Sequence, residues 1–208
     1  MTNNYTTSTA AFATMPEGNY VSAEYPIMDD LIATASRFID MEVGRDAGFF
    51  YPTTDEVTRY YDGSGYDEQE IDEFVSITSV SVSEEGGTSS TDYTAWAATD
   101  YFVHPYNYST LGKPITKLII DENGDKAAWY RYRKSVKVVG VAGYASSTPS
   151  IIATACKIQA VRWFMRAKGG WQDVSGNSDF GQLRYKGATE LDGDIKLMLH
   201  NYKLELDR

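Results

Sequence analysis

Residues 136–170, VKVVGVAGYASSTPSIIATACKIQAVRWFMRAKGG, join a β-branched strand to a nearly all-apolar helix across a turn. Four valines within Val136 to Val141 suit a pleated surface with a buried face, and Gly140 and Gly143 loosen the end of the strand. Thr148 offers a hydroxyl as N-cap and Pro149 loses nothing at a first helical position, so a helix is predicted from there to the Gly169-Gly170 stop. On a helical wheel Ile151, Ala155, Ile158, Val161 and Met165 cluster on one arc, with Ile152, Cys156, Ala160, Trp163 and Phe164 opposite. A surface helix needs about one apolar stripe, so a helix apolar on two sides is covered by its own domain on one and by another body on the second. A central core helix inside one domain accounts for the same pattern.

The surrounding chain is 208 residues long and 42% hydrophobic, enough for one core. No stretch approaches the roughly 18 apolar residues of a membrane span, so no membrane partner is expected. The opening MTNNYTTSTAAFATMPEG has neither a basic head nor an apolar run, which predicts a protein made and kept in the cytosol. Cys156 is the single cysteine, and its neighbours Ile152, Ala155 and Ala160 predict a small buried hydrophobe in place of a nucleophile. His104 and His200 stand far apart with no metal-ligand spacing, which leaves zinc sites and histidine triads without material.

The remaining chemistry is equally thin. Twenty-nine carboxylates and sixteen tyrosines offer the parts of a glycosidase cleft, but no spacing selects an acid/base pair. The GSG at 63–65 lacks the strand, helix and lysine of a phosphate cradle. No catalytic residue, metal site or cofactor site is therefore expected. The run WYRYRKSVKV alternates aromatic and basic residues as a base-stacking strand would, although the whole chain carries a net charge of −10 where nucleic-acid binders are generally basic. Structural Tyr and Arg on a sheet face is the plainer reading.

Charge is unevenly laid out. Residues 46–100 hold thirteen acids against Arg59 alone, a balance of −12, and residues 101–170 hold eleven Lys and Arg against Asp121, Glu122 and Asp125, a balance of +8. Either these blocks are ordinary solvated surface, or they form a self-complementary pair of faces that fixes register between neighbours in a ring.

Along the chain, residues 1–26 show no sustained period and read as an arm that is mobile or ordered only by a partner. Ile27, Leu31, Ala35, Ile39 and Val43, with Met28, Ile32 and Phe38, predict an amphipathic helix ending near Gly44. Residues 57–144 read as strands of an antiparallel sheet, in which the facing of FVSITSVSV is ambiguous. Asn123-Gly124 predicts a tight hairpin joining ITKLII to the aromatic strand that follows. Ile195, Met198, Leu199 and Tyr202 predict a short closing helix with Asp192 as N-cap and Asp194 at its positive end. The fold class is α+β: a helical core, 27–45 and 148–203, carrying a large antiparallel β insertion at 57–144, in one domain spanning 27–208.

In this order, LIATASRFIDMEVGR, TRYYDGSG, VSITSVSV, YFVHPYN, VKVVGVAGY, the TPSIIATACKIQAVRWFMRAKG helix, SDFGQLRY and LDGDIKLMLHNYK make the chain resemble the bacteriophage head-tail connector, or neck adaptor, family over about residues 27–203. That family often begins with a short helix, where residues 1–26 here look irregular. The resemblance implies a structural virion protein without covalent chemistry, in a ring commonly of twelve subunits under the portal. Such a ring extends the DNA channel, lets genomic DNA pass without sequence specificity, and gives the next neck (stopper) or tail protein a platform. It places the protein in the virion neck after synthesis in the host cytoplasm. Ile152, Cys156, Trp163 and Phe164 would then face an adjacent subunit, and the segment after Gly170, with Trp171, Phe180, Arg184, Tyr185 and Tyr202, would contact the portal. Carboxylates of the 46–100 segment would line the channel and keep DNA from sticking. A tail-completion or terminator protein shares the acidic, ring-forming character, and a glycan-binding virion module would use the Tyr-rich β region.

Overall fold

The structure, a computed structural model, describes residues 3–16, 20–87, 89, 92–169, 174–175, 183–184 and 191–204. In chain order the elements are α1 (Ser8–Phe12), α2 (Tyr25–Val43), β1 (Glu56–Tyr61), β2 (Glu68–Val82), β3 (Thr94–Ala95), β4 (Tyr101–His104), α3 (Tyr108–Leu111), β5 (Ile115–Ile120), β6 (Val136–Ala142), α4 (Ser150–Lys168), β7 (Val174–Ser175), β8 (Leu183–Arg184) and α5 (Gly193–Leu199). The chain is α+β, as its periodicities predict. It divides into a helical unit, Met1–Tyr51 with Thr148–Arg208, and a β unit, Pro52–Ser147.

In the helical unit, Pro26 opens the first turn of α2, and Gly44 closes it at φ 71°, a left-handed position where a Cβ is penalised. The buried stripe of α2 is Met28, Ile32, Ala35, Ser36, Ile39, Asp40 and Val43, so it lies one residue on from the Ile27–Leu31 line, and Ile27 is 48% exposed. Helix α4 begins at Ser150, with Pro149 itself as the extended N-cap residue and no side-chain cap. The pyrrolidine ring holds φ at −56° with ψ at 137°, which moves the predicted start on by one residue. Gly169 ends it, its N–H donating to the Met165 carbonyl at 3.2 Å.

The N-terminal segment corrects the expectation of a mobile arm. Thr7 caps α1 by accepting from the Ala10 N–H at 3.2 Å, and Tyr5, Ala11 and Phe12 are buried. Phe12 stacks on Tyr20 at 4.2 Å and meets Phe164 edge-on at 5.2 Å. The short run lacks a repeating period because it is one turn of helix plus anchors, too little for periodicity to register.

The β unit is a six-stranded antiparallel sheet in the order β1-β6-β2-β5-β4, with β3 paired to the end of β2. Fifteen-residue β2 is its spine: Glu68 to Phe74 pairs with β5, and Phe74 to Val82 pairs with β6. Its register shifts between Glu70 and Phe74, Phe74 and Ser76, and Ile77 and Ser79. Each extra residue swaps which parity faces the core, which is why FVSITSVSV alternates so poorly. Gly140 sits opposite Ile77 at one such bulge, where a Cβ would lie 2.2 Å from the Ser76 carbonyl oxygen. Phe74, Val80, Val82, Ile115, Leu118, Val136 and Val138 fill the core, capped by Trp96 stacked on Trp129 at 4.5 Å.

The predicted Asn123-Gly124 hairpin is absent. The Asp121 carboxylate accepts from the Asn123 N–H at 2.9 Å, and the Gly124 N–H donates to the Asp121 carbonyl, so an aspartate turn replaces the positive-φ pair. β5 pairs with β2 and β4 instead, and WYRYRK is an irregular loop whose Trp129 enters the core.

Candidate assembly surfaces

Within the helical unit the two sides of α4 have distinct roles. Ile152, Cys156, Trp163 and Phe164 are exposed by only 0%, 0%, 6% and 1%, so this unit already covers the face predicted to meet a neighbour. Phe38 closes on Trp163 at 5.4 Å and Phe12 on Phe164. Burial pushes the Cys156 thiol up to about 11, which makes it inert. The expectation for these four is corrected: the apolar strip left uncovered on α4 is Ile151 and Met165, 42% and 47% exposed, with half-buried Ile158 between them. Seven-residue spacing places the three in one line. Periodicity revealed two apolar sides but carried no information on which one the unit's other helices take.

A polar network that the sequence analysis missed holds this unit together. Tyr5 donates its hydroxyl to the buried carboxylate of Asp40, which also accepts from the Gly48 N–H at 3.0 Å and lies 3.3 Å from the Arg37 guanidinium. Arg37 donates to the Asn3 carbonyl at 2.7 Å, and the Phe50 N–H donates to the Tyr5 hydroxyl at 3.3 Å. One carboxylate thus fastens the N-terminal segment and the 45–50 loop to α2. Burial raises the Asp40 pKa, against the opposing pull of Tyr5, Gly48 and Arg37. The only signal for it was an acid on the buried face of an amphipathic helix, at i+4 from Ser36.

Further ion pairs tie the chain's end to the unit. Arg162 on α4 grips Asp194 at 2.8 Å and Asp192 at 2.5 Å, so Asp192 spends its carboxylate on Arg162 and makes no side-chain cap for α5. The guanidinium holds Asp194 down to about 2. Lys203 meets Glu42 at 2.8 Å, and Tyr202 packs edge-on to Phe50 at 5.7 Å, partly buried. Of the other residues expected at the portal, Trp171, Phe180 and Tyr185 lie outside the described residues, and Arg184 is placed by its backbone in β8, paired with β7.

The acids of the β unit are partly turned on the unit itself. Glu68 pairs with Lys117 at 2.8 Å, and hydrogen bonding to that lysine lowers its pKa. Asp72 accepts from the Tyr61 hydroxyl at 3.0 Å, and Asp62 from the Lys134 N–H at 2.8 Å. An open groove of about 540 Å³ runs along Asp62, Tyr66, Glu68 and Glu70. Its Glu68 is held ionised by Lys117, so that side chain supplies no raised-pKa acid for proton transfer. Among the described residues no group of three or more His, Cys, Asp or Glu is placed to hold a metal ion, and no helix is long and apolar enough to cross a membrane.

No protein-family model and no curated protein matches the sequence. Solved structures do. A chain from the neck of an empty gene transfer agent particle, computed with C6 symmetry, superposes with a TM-score of 0.53 at 13% identity, over 94% of this chain and 88% of that one. A chain from the virion of the native gene transfer agent particle gives 0.52 at 13% identity with the same coverage. The chain shares the fold of a gene transfer agent neck chain. The likeness runs nearly end to end in both partners.

Proposed function

We propose that this chain is a head-tail connector of a tailed phage or phage-like particle: a non-enzymatic neck adaptor that forms a ring under the portal. The ring would continue the DNA channel and give the next neck or tail protein its docking platform. The observation that carries the reading is the near full-length fold correspondence with a chain of a gene transfer agent neck. The order of motifs across residues 27–203 supports it independently. The uncovered strip Ile151–Ile158–Met165 supplies an apolar line of the kind a lateral contact buries. A ring needs one surface to meet a different surface of the neighbour; the acidic and basic blocks that are separate in sequence are interleaved in the sheet, where β2 pairs with β5 and β6 and Glu68 with Lys117, so they do not form two opposed faces.

Weighing particles of the full chain by native mass spectrometry tests the ring, with a closed assembly of about twelve copies expected. The double variant Ile151→Asp/Met165→Asp should stay folded and lose the ring. Negative-stain images with purified portal should show the protein on the portal vertex. A chain that stays monomeric and binds no portal would refute the proposal, and binding to tail tube instead would assign it to the tail-terminator role.

A further inference from the structure

The β unit carries fifteen Asp and Glu against eight Lys and Arg, a balance of −7 over residues 52–147, and five of the eight cations lie within residues 126–137. The cations elsewhere on the sheet find carboxylates, as Lys117 does with Glu68 and Arg59 with Asp72. Arg131, Arg133 and Lys134 are exposed and have no ion-pair partner among the described residues. Lys126 and Lys137 sit over aromatic rings, 5.6 Å from Trp96 and 5.8 Å from Tyr93. Lys113 is also exposed without an ion pair among the described residues, but it stands alone, whereas Arg131, Arg133 and Lys134 are clustered on one loop and a nearby acid does not take them: the Glu84 carboxylate accepts from the Tyr130 hydroxyl.

The loop that bears them is fastened through its backbone. The Trp129 and Tyr132 carbonyls accept from the Gly65 and Gly63 N–H groups at 2.8 and 3.1 Å. The Tyr130 carbonyl accepts from the Ser135 hydroxyl at 2.6 Å, and that of Lys134 from the Tyr93 hydroxyl at 2.6 Å. At Gly63 a Cβ would lie 1.8 Å from the Tyr130 oxygen, so the glycine permits this close approach. The carbonyls are held inward while Arg131, Tyr132, Arg133 and Lys134 project outward, already ordered before any partner arrives.

We propose that this loop binds the sugar-phosphate backbone of duplex DNA without sequence preference. Guanidinium forks match phosphate oxygens in pairs, Lys134 adds a point charge, and the exposed Tyr132 hydroxyl is a neutral donor to the same oxygens. Tyr130 and Tyr132, 38% and 51% exposed, would also serve a protein interface, but the three clustered cations call for a partner that carries negative charge at every step, as the phosphate backbone does. Apart from those two tyrosines, residues 126–137 expose no large apolar side chain, since Trp129 and Val136 are buried. The inference stands on the loop's own chemistry, and the ring is read separately by mass, so either can fail alone.

Fluorescence anisotropy of the full chain with a labelled duplex of about 20 base pairs tests it. Three phosphate contacts predict that affinity falls about 40-fold between about 50 and about 200 mM salt. The variant Arg131→Gln/Arg133→Gln/Lys134→Gln should lose at least about tenfold in affinity and most of the salt slope, with its thermal melt unchanged. Lys113→Gln, which removes a charge elsewhere on the unit, should bind as the parent does. Equal binding by the triple variant, or no binding by the parent at low salt, would overturn the proposal. So would poly-glutamate displacing the duplex at equal charge, which would assign the loop to an acidic protein surface.

Discussion

Four cations of the helical unit and three on one loop of the β unit are used in opposite ways. In the first, Arg37, Arg162, Lys168 and Lys203 each meet a carboxylate from a distant or neighbouring turn, and these pairs tether the two ends of the chain to α2 and α4. In the second, Arg131, Arg133 and Lys134 stand on a loop fastened through its carbonyls, with no ionic partner among the described residues. The first set uses charge to close its unit, and the second presents it outward. The difference is one of neighbours, not composition, because the β unit has more acids per cation than the chain as a whole.

The comparison breaks most severely at the apolar layer beneath the tethers. Phe164→Ala removes a side chain that is 1% exposed and should destabilise the helical unit by about 3–5 kcal/mol, measured by urea unfolding followed through a far-UV signal. A variant that keeps its stability but loses the ring would return Phe164 to the subunit interface.

A smaller loss is expected from Tyr5→Phe, which leaves Asp40 without its hydroxyl donor and the Phe50 N–H without its acceptor. The cost should be about 1.5–3 kcal/mol. The pH profile sharpens this. Burial raises the Asp40 pKa, so the folded unit favours the protonated acid. Its contribution is fully present below the ordinary value of 3.8 and is lost as pH rises through the raised one. Asp40→Asn should flatten that part of the stability profile.

Arg162→Ala should cost about 1 kcal/mol or less, because its partners are largely solvated and salt screens them. Here the sign reverses. Asp194 is held down to about 2, so the pair's contribution is present above the ordinary 3.8 and declines as pH falls toward 2. Hydrogen exchange at α5 in acid, compared with the Arg162→Ala variant, reads it. The smallest effect belongs to the loop: changing Arg131, Arg133 and Lys134 to Gln should leave stability within about 0.5 kcal/mol, since no ion pair among the described residues is lost and Gln keeps the aliphatic stem that Arg131 lays near Gly65. A loss of several kcal/mol in the same melt would make the loop a structural element.

How far the sequence could be read depended on whether one period governed a segment. Helix α2 and the strand-to-helix joint at 136–168 lie within two residues of their predicted places, and α5 starts after Asp192 as predicted but ends at Leu199, where a 3-10 turn, His200–Tyr202, carries the chain to Tyr202. β2 carries three register shifts, so no single alternation describes it and its facing was illegible. Asn123-Gly124 is a hairpin signal only if the flanking segments pair, and ITKLII found better partners in β2 and β4. The bare strip on α4 and the unpaired loop were hidden for a related reason: each is defined by what other segments leave uncovered.

The sequence by itself therefore determined the α+β class, the α2 and α4 helices and the antiparallel character of the strands in the segment between them. These follow from local repeats and residue chemistry. Only the tertiary structure decided that Phe12 and Phe38 cover the Trp163–Phe164 side of α4, that Asp40 anchors Tyr5, and that three cations of WYRYRK face solvent. Burial and ion pairing depend on which distant segments come together. A helical wheel or a charge count records what a residue offers, and the fold decides what accepts it.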